Sequence, residues 1–144
     1  MFLKGWAYAD AIVFSAASFR AEPEQQLIIP MADLKRFRRD TLNKHNEQPD
    51  IVMVTASGWI DTGHPAWKVQ QRRKLIATSR AGLASLKRTL SVQLGKGSDN
   101  DELVRQWLEQ HQVEIKAFES QESDTDVDLV AMSHFLKYEW KAQF

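Results

Sequence analysis

The stretch "ASGWIDTGHPAWKVQQRRK", residues 56–74, gathers the residue types most able to do chemistry: an Asp and a His three apart, two tryptophans, and a run of cations. An Asp–His pair can orient an imidazole for general-base work or supply two metal ligands. Asp61 and His64 are therefore the candidates for a hydrolase site. The competing reading of "DTGHP" is a turn in which Asp61 caps its own backbone, Gly63 takes a positive φ and His64 is solvated. No third partner is near in sequence, and the turn reading is the stronger. The four histidines, His45, His64, His111 and His134, fit no metal motif such as HExxH, so no metal site and no cofactor are expected. Glu114-Ile115-Lys116 matches half of a metal-dependent nuclease site. However, Asp99 and Asp101 sit in a loop and at a helix start rather than on a neighbouring strand. "GKGS" (95–98) lacks the spacing of a phosphate loop and reads as a helix end.

The basic residues carry a stronger signal. The net charge of the 144 residues is zero, yet residues 35–96 hold thirteen Lys or Arg against four Asp or Glu, a net +9. Residues 97–144 hold eleven acids against four bases, a net −7. "KRFRR" (35–39) falls on a helical pattern and "KVQQRRK" (68–74) on a strand or hairpin arm. Phosphate neutralisation by Lys and Arg dominates nucleic-acid affinity, and aromatic rings between cations can stack bases. Arg36, Arg39, Arg72, Arg73 and Lys74 are the expected phosphate anchors and Trp67 the expected stacking residue. The alternative is a solvated basic surface paired with the acidic last third, in the same chain or in a second copy. Arg73, Arg80 and Lys87 recur every seven residues, but they share a face only if residues 66–94 form one helix, and the first half has no apolar stripe.

Elements must position these groups. The chain has the length and apolar content (43%) of one globular domain. It has no cysteine, which excludes disulfides and thiolate chemistry and suggests a cytoplasmic location. No apolar run reaches the ~20 residues of a membrane helix, and Asp10 interrupts the apolar N-terminal stretch, which argues against a signal peptide. The first twenty residues alternate as a strand, with Trp6, Tyr8, Ile12 and Phe14 on one parity, and "QLIIPM" reads as a short strand ended by Pro30.

Residues 32–46 read as a helix with Leu34, Phe37, Thr41 and Leu42 inward. Residues 51–54 form a strand covered on both faces, and residues 66–77 pair with it as a hairpin across "DTGHP". Further helices are expected at 79–94, capped by Ser79, at 100–112, with Leu103, Trp107 and Leu108 inward, and at 126–141, with Leu129, Met132, Phe135, Leu136 and Trp140 inward. A strand at 113–120, "VEIKAFES", lies between the last two. The fold class is α+β or mixed α/β: a single layered domain, with three to five strands in a mixed sheet packed by three to four helices.

Three functions follow as expectations. The leading one is a small cytoplasmic protein that contacts nucleic-acid phosphate without strong sequence specificity. The second is a homo-oligomeric interaction or adaptor protein with complementary basic and acidic surfaces. The third is a hydrolase near Asp61 and His64. The expected partners are nucleic acid and a second copy of the chain, with no membrane.

Overall fold

The computed structural model describes residues 9–24, 26–44, 48–70, 72–95 and 101–140. Trp6, Tyr8, His45 and Asp99 lie outside the described residues, as does most of the "GKGS" loop. Among the described residues four strands form one sheet: β1 (Ala11–Ser15), β2 (Asp50–Thr55), β3 (Lys74–Thr78) and β4 (Val113–Ala117). They lie in the order β1-β2-β3-β4 and every pairing is parallel. The expected mixed sheet is thus corrected to an all-parallel one. The expected hairpin is corrected with it, because Ile51 pairs with Lys74 and Thr55 with Thr78 in the same direction. A parallel neighbour needs a crossover rather than a tight turn. Residues 56–73 supply it, with a single 3-10 turn at Pro65–Lys68 that carries Trp67.

The helices are α1 (Ala16–Ala21), α2 (Ala32–Arg36), α3 (Arg80–Gly95), α4 (Asp101–Gln110) and α5 (Leu129–Phe135). Helix α2 widens into a π turn over Phe37–Thr41, and α5 does the same over Leu136–Trp140. Right-handed crossovers between strands that always step the same way put their connections on one face. On that face Phe19 of α1, Trp67, Leu86 and Leu90 of α3, and Trp107 of α4 pack on Ile51, Met53, Ile76 and Val113. Helix α5 follows β4 and covers the other face, where Met132 and Trp140 pack on Val52, Leu75 and Ala77. Both faces of β2 and β3 are therefore buried, which explains the unbroken apolar runs of those strands.

The segment "QLIIPM" forms no strand. Leu27 takes a left-handed φ of 57°, and Ile29 exchanges both its backbone hydrogen bonds with the side-chain amide of Gln48, at 2.6 and 2.9 Å. One amide thus does the work of a neighbouring strand. The N-terminal strand is likewise shorter than expected, because Ser15 accepts a hydrogen bond from the Ser18 amide and caps α1. Three inward assignments also change: Thr41 is exposed, Leu103 is 39% exposed and Leu129 56% exposed.

The carboxyl ends of β2 and β3 are joined by close backbone approach. Gly58 holds a φ of 81°, and a Cβ there would lie 2.3 Å from the Gly82 carbonyl oxygen. A Cβ on Gly82 would lie 2.2 Å from Thr78 Oγ1 and 2.4 Å from the Ala56 carbonyl oxygen. Ser79 Oγ donates to the same Ala56 carbonyl at 2.6 Å and accepts from the Gly82 amide at 2.9 Å. Substitution Gly82→Ala is expected to destabilise the protein by about 1–3 kcal/mol, the usual cost of forcing extra volume into a packed site. Urea unfolding checks it, and an unchanged midpoint would contradict the contact.

Candidate functional site

The residues offered by the sequence as phosphate anchors separate into two groups. Arg36 and Arg39 are exposed on α2 and the π turn that follows it. Arg36 pairs with Asp33, and Arg39 with Asp40 at 3.0 Å. Surface pairs of this kind contribute little to stability. The others face inward. Arg72 is 0% exposed. Its guanidinium donates to the carbonyls of Pro49 at 2.6 Å, Leu27 at 2.6 Å and Gln26 at 3.1 Å. Lys74 is also 0% exposed, and its Nζ donates to the carbonyls of Val69 at 2.7 Å and His111 at 2.6 Å. Arg38 of "KRFRR" is buried, unlike its neighbours Arg36 and Arg39, and donates to the Ala9 carbonyl at 2.5 Å.

Arg73 is half-buried between these groups. Its amide donates to Asp50 Oδ1 at 2.8 Å, and its guanidinium donates to the Trp140 carbonyl at 2.7 Å while lying 4.2 Å over the Trp140 ring. Trp67 is fully buried, and its Nε1 donates to the Asp61 carbonyl at 2.8 Å. Its ring packs against Phe19 and Trp107 and is not available to stack a base. Within "KVQQRRK", Arg72 and Lys74 are thus clamps on backbone carbonyls at the amino end of the sheet, while Lys68 is exposed.

Burial shifts the proton equilibria of these groups. It lowers the pKa of the Lys74 ammonium from the ordinary 10.5 to about 8, and the neighbouring Arg72 charge adds to the fall. It also lowers Arg72 to about 10 and pushes the Asp50 carboxyl above its ordinary range, against the pull of the Arg73 amide and guanidinium. A neutral Lys74 amine still has two hydrogens for its two carbonyl acceptors.

Asp61 and His64 lie in a turn, each with hydrogen bonds to backbone. Asp61 Oδ1 accepts from the Gly63 amide at 2.9 Å. His64 is 2% exposed rather than solvated, and Gly58 rather than Gly63 carries the positive φ. His64 Nδ1 accepts from the Ala66 amide at 3.1 Å, which makes Nε2 the donor to the Glu22 carbonyl at 2.9 Å. Both ring nitrogens are thus committed to backbone. The ring stacks on Phe19, on the α3 face of the sheet. Lys116 lies 5.0 Å over the Phe135 ring on the opposite face, and Glu114 shares its strand parity. The two halves of the hydrolase constellation therefore lie on different faces. Among the described residues no three His, Asp or Glu side chains are grouped to hold a metal ion, and no helix is long and apolar enough to cross a membrane.

An open groove of about 690 Å³ lies on the α5 face, at the carboxyl ends of the strands. Val54, Val127, Leu129 and Val130 supply its apolar lining, and Glu122 and Asp126 add acids whose carboxylates have no ion pair among the described residues. Val130 is 82% exposed and Leu129 56%. The sequence reading missed this site because it assigned Leu129 inward and took the acids for a solvated loop. The available signal was the adjacent pair Leu129-Val130, since Val130 falls off the stripe of Met132, Phe135 and Leu136. No family model matches the chain, and comparison with curated proteins finds no match.

Two predictions follow from these positions. Arg72→Ala strands three carbonyls and is expected to cost about 3 kcal/mol or more, whereas Arg36→Ala and Arg39→Ala are each expected to stay within ~0.5 kcal/mol of wild type. Denaturant unfolding separates these cases. Because the folded state releases the Lys74 proton from about pH 8 and the unfolded chain keeps it to the ordinary 10.5, folded stability rises across that window. Relative to Lys74→Met, wild type is expected to gain on the order of 2 kcal/mol between pH 8 and 10. Parallel pH profiles for the two proteins would contradict the shift.

Proposed function

We propose that this protein is a small cytoplasmic interaction protein that binds a partner protein through the α5 face of its sheet. The observation that carries the reading is the groove, with exposed Leu129 and Val130 beside the acids Glu122 and Asp126. An exposed apolar patch rimmed by polar residues is the usual mark of a protein-binding surface. The reading is supported further by the inward orientation of Arg38, Arg72 and Lys74, which turns three of the thirteen cations of the basic middle away from solvent. The nucleic-acid reading keeps the exposed cations Arg36, Arg39, Lys68, Lys87 and Arg88, and a single set of experiments separates the two.

A photoreactive amino acid is placed at Val130 and, as a control, at the exposed Gln106 of α4, and the protein is irradiated in its own cells. A discrete protein adduct at position 130 and none at 106 is the expected result. In parallel, anisotropy titrations with labelled single- and double-stranded oligonucleotides are run at ~50 and ~200 mM salt, where phosphate contacts show most clearly. Salt-sensitive oligonucleotide binding that is lost in the Arg36→Ala/Arg39→Ala double variant, without a protein adduct at 130, would contradict the interaction reading and favour the nucleic-acid one.

A further inference from the structure

Helix α3 carries a surface complementary to the groove. Its sixteen residues, Arg80–Gly95, include three cations and no acid. Arg80 is paired with Glu119 and Asp124. Lys87 and Arg88 are exposed and have no partner among the described residues, and Val92 is 59% exposed. Ala84, Arg88 and Val92 recur every four residues and so stand in one row on the helix, with Lys87 beside them. Ala81 and Ala84 are exposed and small, which lets another backbone come close. The row spans about 12 Å at 1.5 Å per residue. It presents an apolar side chain next to two unpaired cations. The groove presents apolar side chains next to two carboxylates, Glu122 and Asp126, that have no ion pair among the described residues.

These two surfaces cannot meet within one chain. Leu86 and Leu90 hold α3 on one face of the sheet, and Val54 and Val127 belong to the other. We infer that the groove of one copy receives the Lys87–Arg88–Val92 surface of a second copy, so that chains associate head to tail. The inference rests on the interaction reading and names the partner as the chain itself. The two patches are different and lie on opposite faces, so the contact is heterologous and each added copy leaves one patch of each kind for the next, in an open row or a closed ring. The charges set register and encounter rate, while Leu129, Val130 and Val92 supply the apolar contact. Arg88 and Val92 are bystanders to the core, as are Glu122, Asp126 and Val130, so their replacement leaves the fold intact.

Sedimentation velocity over about 1 μM to 1 mM chain, a span of roughly 4 kcal/mol in association free energy, tests the inference. Wild type is expected to grow with concentration and to shrink as salt screens the pairs. A helix variant, Lys87→Ala/Arg88→Ala, and a groove variant, Glu122→Ala/Asp126→Ala/Val130→Ser, are each expected to associate at least about tenfold more weakly. An equimolar mixture of the two is expected to restore association but to stop at two chains, because each variant keeps only one intact surface. Unfolding midpoints of both variants within ~0.5 kcal/mol of wild type confirm that the effect is at the surface. A monomer at every concentration, association unchanged in both variants, or a mixture that grows beyond two chains would overturn the inference. A foreign protein cross-linked at Val130 alongside a monomeric chain would overturn it while leaving the interaction reading in place.

Discussion

The Arg72 guanidinium sits where three stretches of chain converge, and the amino end of the sheet is organised around it. Pro49 leads into β2, Gln26 and Leu27 belong to the crossover from β1, and Arg72 itself leads into β3. A single planar group with five donors is suited to this task, because it can hold several carbonyls at fixed angles. The left-handed Leu27 and the absence of a strand at "QLIIPM" follow from the same contact. The carbonyls there are turned toward Arg72, and Gln48 takes the place of a neighbouring strand at Ile29.

The neighbouring cations repeat the device. Lys74 joins the end of the 3-10 segment to the end of α4 through the carbonyls of Val69 and His111. Arg73 joins Asp50 to the carbonyl of Trp140, and Arg38 reaches Ala9. Burying cations against carbonyls is costly, and the lowered pKa values of Lys74 and Arg72 are the visible sign of that cost. The return is a closed amino end in a sheet whose connections are long and largely irregular. The carboxyl end is built differently. There Gly58 and Gly82 allow β2 and the start of α3 to touch, and beyond them the α5 face stays open over Val54, Leu129 and Val130.

Much of the fold was legible from local pattern. The run Ile51–Val54 marked a strand covered on both sides. Ser79 with Leu83, Leu86 and Leu90 marked α3, and Val113 and Ile115 alternating with Glu114 and Lys116 marked β4. Strand direction was not legible, because alternation and apolar runs carry no sense of direction; "DTGHP" is turn chemistry in a crossover as much as in a hairpin. The fate of the basic residues was hidden for a related reason. Arg and Lys are exposed in most settings, and nothing in "KVQQRRK" distinguishes a side chain aimed at solvent from one aimed at the carbonyls of Gln26, Leu27 and Pro49. That choice is made by contacts 23 to 46 residues away in sequence. The groove was hidden by the opposite error, since Leu129 matches the helical period of Met132 and Leu136 yet begins the helix before it reaches the sheet.

The account depends on which way the basic middle faces, and the Arg72 side chain reports that directly. Solvent exchange of the Arg72 Nε proton by NMR, compared with those of Arg36 and Arg39, is the most direct measurement. The hydrogen bond to Pro49 at 2.6 Å within a fully buried site predicts strong protection for Arg72. It also predicts rapid exchange for the two exposed arginines, and no shift of the Arg72 signal when oligonucleotide is added. An Arg72 proton that exchanges as fast as that of Arg36, or a signal that moves on titration with oligonucleotide, would contradict the account and return these cations to a phosphate-binding surface.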